Sequence, residues 1–128
     1  MRTNAGIDFQ SRVMLDTSST GTGTYASANY IALTTDSTAP AAADTALTSE
    51  LTASGLQRQV ATYAHTTGVN TTTLTKTFTS SDATTRTIAK AGLLNAATTG
   101  TLVFETAITS PPSLVSGDSL AITWTFTF

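Results

Sequence analysis

The strongest pattern in the chain is the alternation of large apolar and small residues over positions 118–128. The apolar residues occupy every second position, with threonine or alanine between them; they are Leu120, Ile122, Trp124, Phe126 and Phe128. Because successive side chains of an extended chain point to opposite faces, this pattern gives one apolar face and one hydroxyl-rich face. We therefore predict a β-strand whose apolar face closes the hydrophobic core. On that face Trp124 is expected to pack in the core rather than to form a platform for a sugar.

Five further segments are rich in β-branched, leucine or aromatic residues and are predicted strands: 29–34, 56–64, 72–79, 87–95 and 101–108. Turn-forming residues separate them, including Ser80-Ser81-Asp82, Pro111-Pro112 and Ser116-Gly117-Asp118. Strands spaced by roughly ten to fifteen residues, with turns between them, are typical of all-β folds. The sequence indicates an antiparallel β-sandwich, jelly-roll or Greek-key like, and it lacks the alternating strands and helices of a parallel α/β fold.

Three local features modify this strand pattern. Residues 44–51 are predicted as the one short helix, because an aspartate is placed to cap it and two leucines stand four positions apart. Gly92, inside the predicted strand 87–95, indicates a β-bulge or a close backbone approach. Leu102 and Phe104 stand two positions apart and are predicted to share one face of their strand.

The first residues differ from the rest, and we divide the chain into an N-terminal arm and linker, 1–24, and a β-sandwich domain, 25–128. The stretch 16–24 is rich in Gly, Ser and Thr, has nothing to bury and is predicted to be a flexible loop. The arm before it carries apolar side chains that need a surface to cover them, either on their own domain or on a neighbouring subunit. The residues predicted to make subunit contacts are Arg2, Ile7, Phe9, Arg12, Val13 and Leu15.

Composition favours a sheet protein that assembles. The 128 residues suit one ordinary domain, and only 11% of them are charged, with a formal net charge of -2. Abundant threonine with few charges is unlike a disordered chain and suits sheets whose outer faces are covered by hydroxyl groups. Copies with so little charge repel one another weakly, so we expect burial in an assembly rather than a monomer.

Several classes of function are not expected. The chain has no cysteine, so it forms neither a disulfide nor a thiolate metal site. Its six Lys and Arg residues form no basic cluster of the kind that binds nucleic acid. The sequence has neither the apolar run of a signal peptide nor a stretch of ~20 apolar residues, so neither standard secretion nor a membrane partner is expected.

No residue pattern predicts an enzyme, a cofactor or a metal site. His65 is the only histidine, and at a predicted strand end a solvated imidazole is its expected state. The run Gly117-Asp118-Ser119-Leu120 matches the letters of a nucleophile block in one class of lipases and esterases, but no histidine follows it to act as the base. We predict a tight turn at this run and expect no catalytic residues.

From Tyr30 onward, the order of short motifs resembles virion structural proteins of tailed bacteriophages. The motifs that carry the resemblance are Tyr30-Ile31-Ala32-Leu33, Ala39-Pro40, Asp44-Thr45-Ala46-Leu47 with Glu50, Ala89-Lys90-Ala91-Gly92-Leu93-Leu94-Asn95-Ala96, Gly100-Thr101-Leu102-Val103-Phe104-Glu105, and Ser116-Gly117-Asp118 with Leu120, Ile122 and Trp124. Within this class, the chain is similar to small capsid decoration (cement) proteins and also to pieces of tail and fibre proteins.

The resemblance implies, as a first hypothesis, a capsid decoration protein on the outside of the phage head. It implies a homo-oligomer, expected as a trimer, that binds the major capsid protein and bridges its subunits through the arm. The protein would be made in the host cytoplasm and would contact neither nucleic acid nor membrane. The alternative is a tail, baseplate or fibre component. A different class of function, a carbohydrate-binding module, would use Tyr25, Tyr30 or Tyr63.

Overall fold

The predicted strand segments are extended in the computed structural model, which describes residues 3–4, 11, 13–15 and 26–128. Segment 56–64 divides into two strands, as does 87–95, and a short strand that the sequence does not predict follows Pro112. The strands of the described residues are β1 Tyr30–Thr34, β2 Gln59–Val60, β3 Thr62–His65, β4 Thr71–Thr79, β5 Arg86–Thr87, β6 Lys90–Leu94, β7 Leu102–Ala107, β8 Ser113–Leu114 and β9 Ser119–Thr127.

The strands pair antiparallel throughout the described chain and form two main sheets. One is a four-stranded sheet with the order β2-β1-β6-β7, and the other is a three-stranded sheet with the order β3-β4-β9; β5 and β8 form a separate pair. Ile31 and Leu93 of the first sheet pack in one buried cluster with Leu74 and Phe78 of the second. The two sheets therefore face each other, and the predicted antiparallel β-sandwich is confirmed.

The longest pairing joins β4 to β9, and both strands have nine residues. Leu74 lies directly opposite Trp124, so the two strands direct their apolar residues to the same face. On the other face, the hydroxyl oxygens of Thr75 and Thr123 are 3.3 Å apart. The terminal strand with one apolar and one hydroxyl-rich face is therefore confirmed.

The hydrophobic core lies between the two sheets. Its buried members are Leu15, Ala28, Ile31, Leu33, Leu56, Ala61, Leu74, Phe78, Ile88, Ala91, Leu93 and Leu114. The apolar residues of β9 are only half-buried and pack against this cluster. Leu15 precedes the first strand and is nevertheless completely buried in the core.

The outer face of the four-stranded sheet is covered by the loop 35–50. Along β1, Ile31 belongs to the core between the sheets, whereas Ala32 points the other way and packs under Leu47 of this loop. The Thr34 hydroxyl donates to the Thr48 carbonyl over 2.6 Å. The loop is thus attached to the sheet both by an apolar contact and by a hydrogen bond to its backbone.

The short helix predicted for 44–51 is wrong, because the structure has turns there and Ser49 has a positive φ of 54°. Leu47 belongs to the cluster on the outer face of the sheet, whereas Leu51 packs against the core between the sheets. A single helix face cannot supply both contacts. The Leu51 N–H donates instead to the Leu33 carbonyl over 2.9 Å.

The β-bulge predicted at Gly92 lies just after it, and the close contacts of Gly92 are with side chains rather than with backbone. A Cβ atom at this position would lie 3.1 Å from the Leu102 side chain, and a register shift between Leu93 and Leu94 interrupts the ladder with β7. Because of the shift, Leu102 lies opposite Leu94, and Phe104 lies opposite Leu93. The two residues therefore point to opposite faces, and the prediction that they share a face is wrong.

Candidate assembly surface

Two long strands end the two sheets on the same side of the sandwich. Among the described strands, β7 pairs only with β6, and β9 pairs only with β4. Each edge therefore leaves a row of backbone N–H and C=O groups outside the ladders. β9 is nine residues long, compared with a mean strand length of about 5–6 residues. An open edge of this length is a template for pairing with another chain.

An aromatic cluster, which we call the aromatic edge, joins Phe104 of β7 to Trp124 and Phe126 of β9. The Phe104 ring centroid lies 6.3 Å from that of Trp124 and 5.4 Å from that of Phe126. Trp124 and Phe126 stand two apart on β9, and their rings stack at 6.2 Å with an interplanar angle of 10°. Phe104 nevertheless stays 38% exposed. The aromatic edge is therefore an organised apolar surface that one chain leaves partly uncovered.

Trp124 packs against the core, as the sequence predicts. Its indole nitrogen is buried and has no hydrogen-bond partner among the described residues. An unpaired buried donor costs about 1–3 kcal/mol. Burial of the ring offsets part of this cost, but the indole N–H of Trp124 remains without a hydrogen-bond acceptor among the described residues.

The sequences of β7 and β9 contain few of the residues that keep an edge strand from pairing with another chain. β9 contains no ionisable residue, and neither β7 nor β9 contains proline. The one charged residue of β7, Glu105, lies opposite Gly92, on the face away from the aromatic edge. Edge strands that stay unpaired commonly carry lysine, proline or an inward-pointing charge. These two strands have none of those devices on the side where the rings lie.

Sequence reasoning does not identify Phe104 as a surface residue. Simple alternation along β7 places it beside Leu102, on the face that the loop 35–50 covers. The bulge after Leu93 reverses this, and the only local sign of the bulge is Gly92. The exposure of the ring also depends on β7 being the last strand of its sheet, which no local pattern reveals.

The structure places the described members of the predicted arm contact set in different surroundings. Leu15 lies in the core of its own domain, while Val13 is 51% exposed. The Met14 carbonyl accepts a hydrogen bond from the Ala28 N–H over 2.9 Å, and the Val13 carbonyl accepts one from the Ser27 hydroxyl over 2.9 Å. Four members lie outside the described residues: Arg2, Ile7, Phe9 and Arg12. The subunit contacts of this set and the division of the chain at residue 24 stay predictions. The flexible loop predicted for 16–24 also stays a prediction, because these residues lie outside the described part of the chain.

A network of hydroxyl groups attaches Ser11 to the three-stranded sheet. The Ser11 Oγ lies 2.6 Å from the Tyr63 hydroxyl and 2.6 Å from Thr72 Oγ1, and Thr72 Oγ1 lies 3.0 Å from His65 Nδ1. The same histidine nitrogen is 3.0 Å from the Thr71 carbonyl oxygen. Since Ser11 is completely buried, this arrangement serves to join the N-terminal segment to the sheet.

The run at Gly117 is the tight turn that the sequence predicts. Gly117 has a φ of 93°, and the Asp118 carboxylate accepts a hydrogen bond from the Val115 N–H over 2.9 Å. The Ser119 hydroxyl lies 2.8 Å from that of Thr79, on the neighbouring strand. These contacts account for the run as a turn leading into β9.

The other candidate sites do not converge. Tyr30 packs beside the outer-face cluster and Tyr63 beside the core, so the two rings form no common platform, and Tyr25 lies outside the described residues. In the described part of the chain, no three His, Asp or Glu residues are grouped to hold a metal ion. Nor do these residues include a helix long and apolar enough to cross a membrane.

Comparison with known protein families matches residues 8–125 to a family described as podophage GP4 fiber I protein gp80. Comparisons with curated proteins and with solved structures gave no match. The matched span contains strands β1 to β8 and most of β9, including Phe104 and Trp124 of the aromatic edge. The resemblance to phage virion structural proteins is thereby confirmed at that level, and the chain belongs to the podophage GP4 fiber I protein gp80 family.

Proposed function

We propose that this protein is a non-enzymatic structural subunit of a phage fibre and that its copies associate through the aromatic edge. The observation that carries the proposal is the match to a fibre protein family over residues 8–125. The match supports the fibre alternative better than capsid decoration. A second copy of the chain therefore replaces the major capsid protein as the expected partner, and the fibre replaces the outer surface of the head as the expected location.

The geometry of the sandwich edge supports self-association. Phe104 is 38% exposed and belongs to an aromatic cluster with Trp124 and Phe126. Burial of apolar area contributes about 25 cal/mol per Å². A second chain that covers the exposed part of the Phe104 ring removes this apolar area from water, which a monomer does not achieve.

Three copies remain the expected number. The free edges on the two sides of the aromatic edge belong to different strands, β7 in one sheet and β9 in the other. This asymmetry suits a head-to-tail contact in which β9 of one copy lies along β7 of the next. Contacts of this type close into a ring when the rotation between copies divides a full turn. A trimer brings the three aromatic edges together about its axis.

The proposed location is tested by imaging particles of the phage that carries this protein with a gold-labelled antibody against it. We expect label on the fibres, at few sites per particle. Label spread over the head, with a copy number close to that of the capsid subunit, contradicts the proposal and favours capsid decoration.

The proposed contact is tested by sedimentation velocity of the wild type and of Phe104→Ser. We expect the wild type to sediment as an oligomer and the variant to shift to the monomer, because the substitution removes the exposed ring from the contact. Val60→Ser is the matched control, since Val60 is 46% exposed on β2, at the opposite end of the same sheet. A monomeric wild type, or equal dissociation of both variants with unchanged near-UV circular dichroism, contradicts the proposal.

A further inference from the structure

The outer face of the three-stranded sheet is built from three small residue types only. On this face of β3, β4 and β9, every side chain belongs to threonine, serine or alanine. We call this surface the threonine face; its members are Thr62, Ala64, Thr71, Thr73, Thr75, Thr77, Thr79, Ser119, Ala121, Thr123, Thr125 and Thr127. All of them are exposed except Thr73 and Thr75, which are half-buried. These residues give the face no charge and no side chain larger than threonine.

Hydroxyl groups of the threonine face bond to one another across the strands. Thr75 Oγ1 lies 3.3 Å from Thr123 Oγ1, and Thr79 Oγ1 lies 2.8 Å from Ser119 Oγ. Both pairs join residues that lie directly opposite each other on β4 and β9. A hydroxyl group that already has a partner in the protein loses less when water is displaced than one that bonds to water alone. Covering this face therefore costs little in lost hydrogen bonds.

The chain covers one of its two outer faces and leaves the other open. The loop 35–50 lies on the four-stranded sheet, where Leu47 packs on Ala32. The threonine face, in contrast, stays exposed. Water-facing surfaces ordinarily carry interspersed Lys, Arg, Glu and Asp side chains, which help to keep copies of a protein apart. Since the threonine face has none of these, only the small net charge of -2 on the whole chain opposes contact there.

We propose that the threonine face is a second self-association surface, against which the threonine face of another copy packs back to back. A second copy is the occupant that this surface fits, because its face is equally uncharged and its sheet has the same twist. Twisted sheets pack face to face at about −30°, roughly 10 Å apart. β9 contributes to both the threonine face and the aromatic edge, so the two contacts are adjacent on the molecule.

The area of the face limits the strength of this contact. β4 and β9 have nine residues each and β3 has four, so at strand spacings of about 4.8 Å the face covers roughly 350 Å². A stable interface buries about 800 Å² on each partner. One threonine face therefore does not hold two single chains together at low concentration. Where aromatic edges already join several copies, their threonine faces act together and the contact becomes effective; this step rests on the proposed function.

Sedimentation velocity of the wild type and of Thr77→Lys, over a wide range of loading concentrations, tests the contact. Thr77 is exposed on β4, the central strand of its sheet, and does not belong to the aromatic edge. We expect the wild type to form species larger than the aromatic-edge oligomer as concentration rises. Thr77→Lys should lose these larger species, because it places a charge in an uncharged contact. Thr77→Val keeps the shape without a charge and should retain them.

Thr45→Lys is the matched control, since Thr45 is exposed on the loop 35–50 and the change in charge is the same. It should sediment like the wild type, and unchanged melting temperatures check that all three variants fold. Larger species that persist in Thr77→Lys, or that disappear equally in Thr45→Lys, overturn the proposal. A wild type that forms none of them at any concentration does so too.

The Phe104→Ser variant separates this result from that of the aromatic edge. If only the threonine face fails, the wild type stays one oligomer at every concentration, and Phe104→Ser still dissociates it. If only the aromatic edge fails, Phe104→Ser changes nothing, and Thr77→Lys abolishes an association that appears at high concentration. Affinity electrophoresis in gels containing dextran tests a different occupant. Retardation of the wild type that Thr77→Lys loses, without any larger species, assigns the face to a neutral polysaccharide and overturns the proposal.

Discussion

At the scale of single residues, burial separates side chains that the sequence presents as equivalent. Leu15 and Val13 stand two apart in the predicted arm, yet one is completely buried and the other is 51% exposed. Leu15 contributes to the core of its own chain, as the alternative of an arm folded onto its own domain implies. A subunit contact made by the arm therefore falls to its exposed residues.

The difference between these two residues predicts opposite effects of truncation. Leu15→Ala leaves a cavity in the core and is expected to lower the free energy of unfolding by about 2–5 kcal/mol. Val13→Ala removes exposed atoms and is expected to change it by less than about 0.5 kcal/mol. Urea denaturation of both variants measures this, carried out in the Phe104→Ser background so that association does not contribute. Equal effects of the two substitutions would show that Leu15 does not belong to the core.

At the scale of elements, the sequence predicts the strands whose faces are decided by their own residues. β9 has a strict alternation, and β4 has one that Lys76 interrupts between Leu74 and Phe78; each strand places its apolar side chains toward the core as expected. The faces of β7 are not predicted correctly, because the directions of Leu102 and Phe104 depend on a bulge, which is a property of two paired strands together. The turns at 44–51 were predicted as a helix for a related reason. Leu47 and Leu51 pack in different clusters, which only the assembled sheets define.

The candidate sites were less predictable than the strands. The aromatic edge requires knowing which strands end each sheet, and chain order does not give this: β9 pairs with β4 rather than with its neighbour in sequence. The buried ion pair of Lys90 with Asp36, 3.0 Å apart, joins a strand to a loop far from it in the chain. Each residue is unremarkable alone, and only the folded chain brings the two together.

At the scale of the whole molecule, low charge makes the few ionisable groups decisive for its response to pH. The folded chain raises the pKa of Glu105 through Asp44 and burial. It lowers the pKa of Asp36, chiefly through the Thr38 hydroxyl, and that of Asp82, chiefly through the Thr84 N–H. Shifts in opposite directions mean that the free energy of unfolding declines on both sides of an optimum.

The position of that optimum follows from the sign of each shift. A raised Glu105 pKa gives stability that is complete below its ordinary value of 4.5 and is lost as pH rises through the raised value. A lowered Asp36 pKa gives stability that is complete above its ordinary value of 3.8 and is lost as pH falls through the lowered value. We therefore expect the melting temperature to be highest on the acid side of neutrality.

Melting temperatures of the wild type and of Glu105→Gln, measured over a series of buffers at constant ionic strength, test this expectation. The variant has no carboxyl to lose at position 105, so the fall on the alkaline side should flatten. The fall on the acid side should remain, since Asp36 and Asp82 are unchanged. Two identical profiles would mean that Glu105 does not bind its proton more tightly in the folded chain, and the alkaline decline would then have to arise elsewhere, from loss of the Lys90 charge at higher pH.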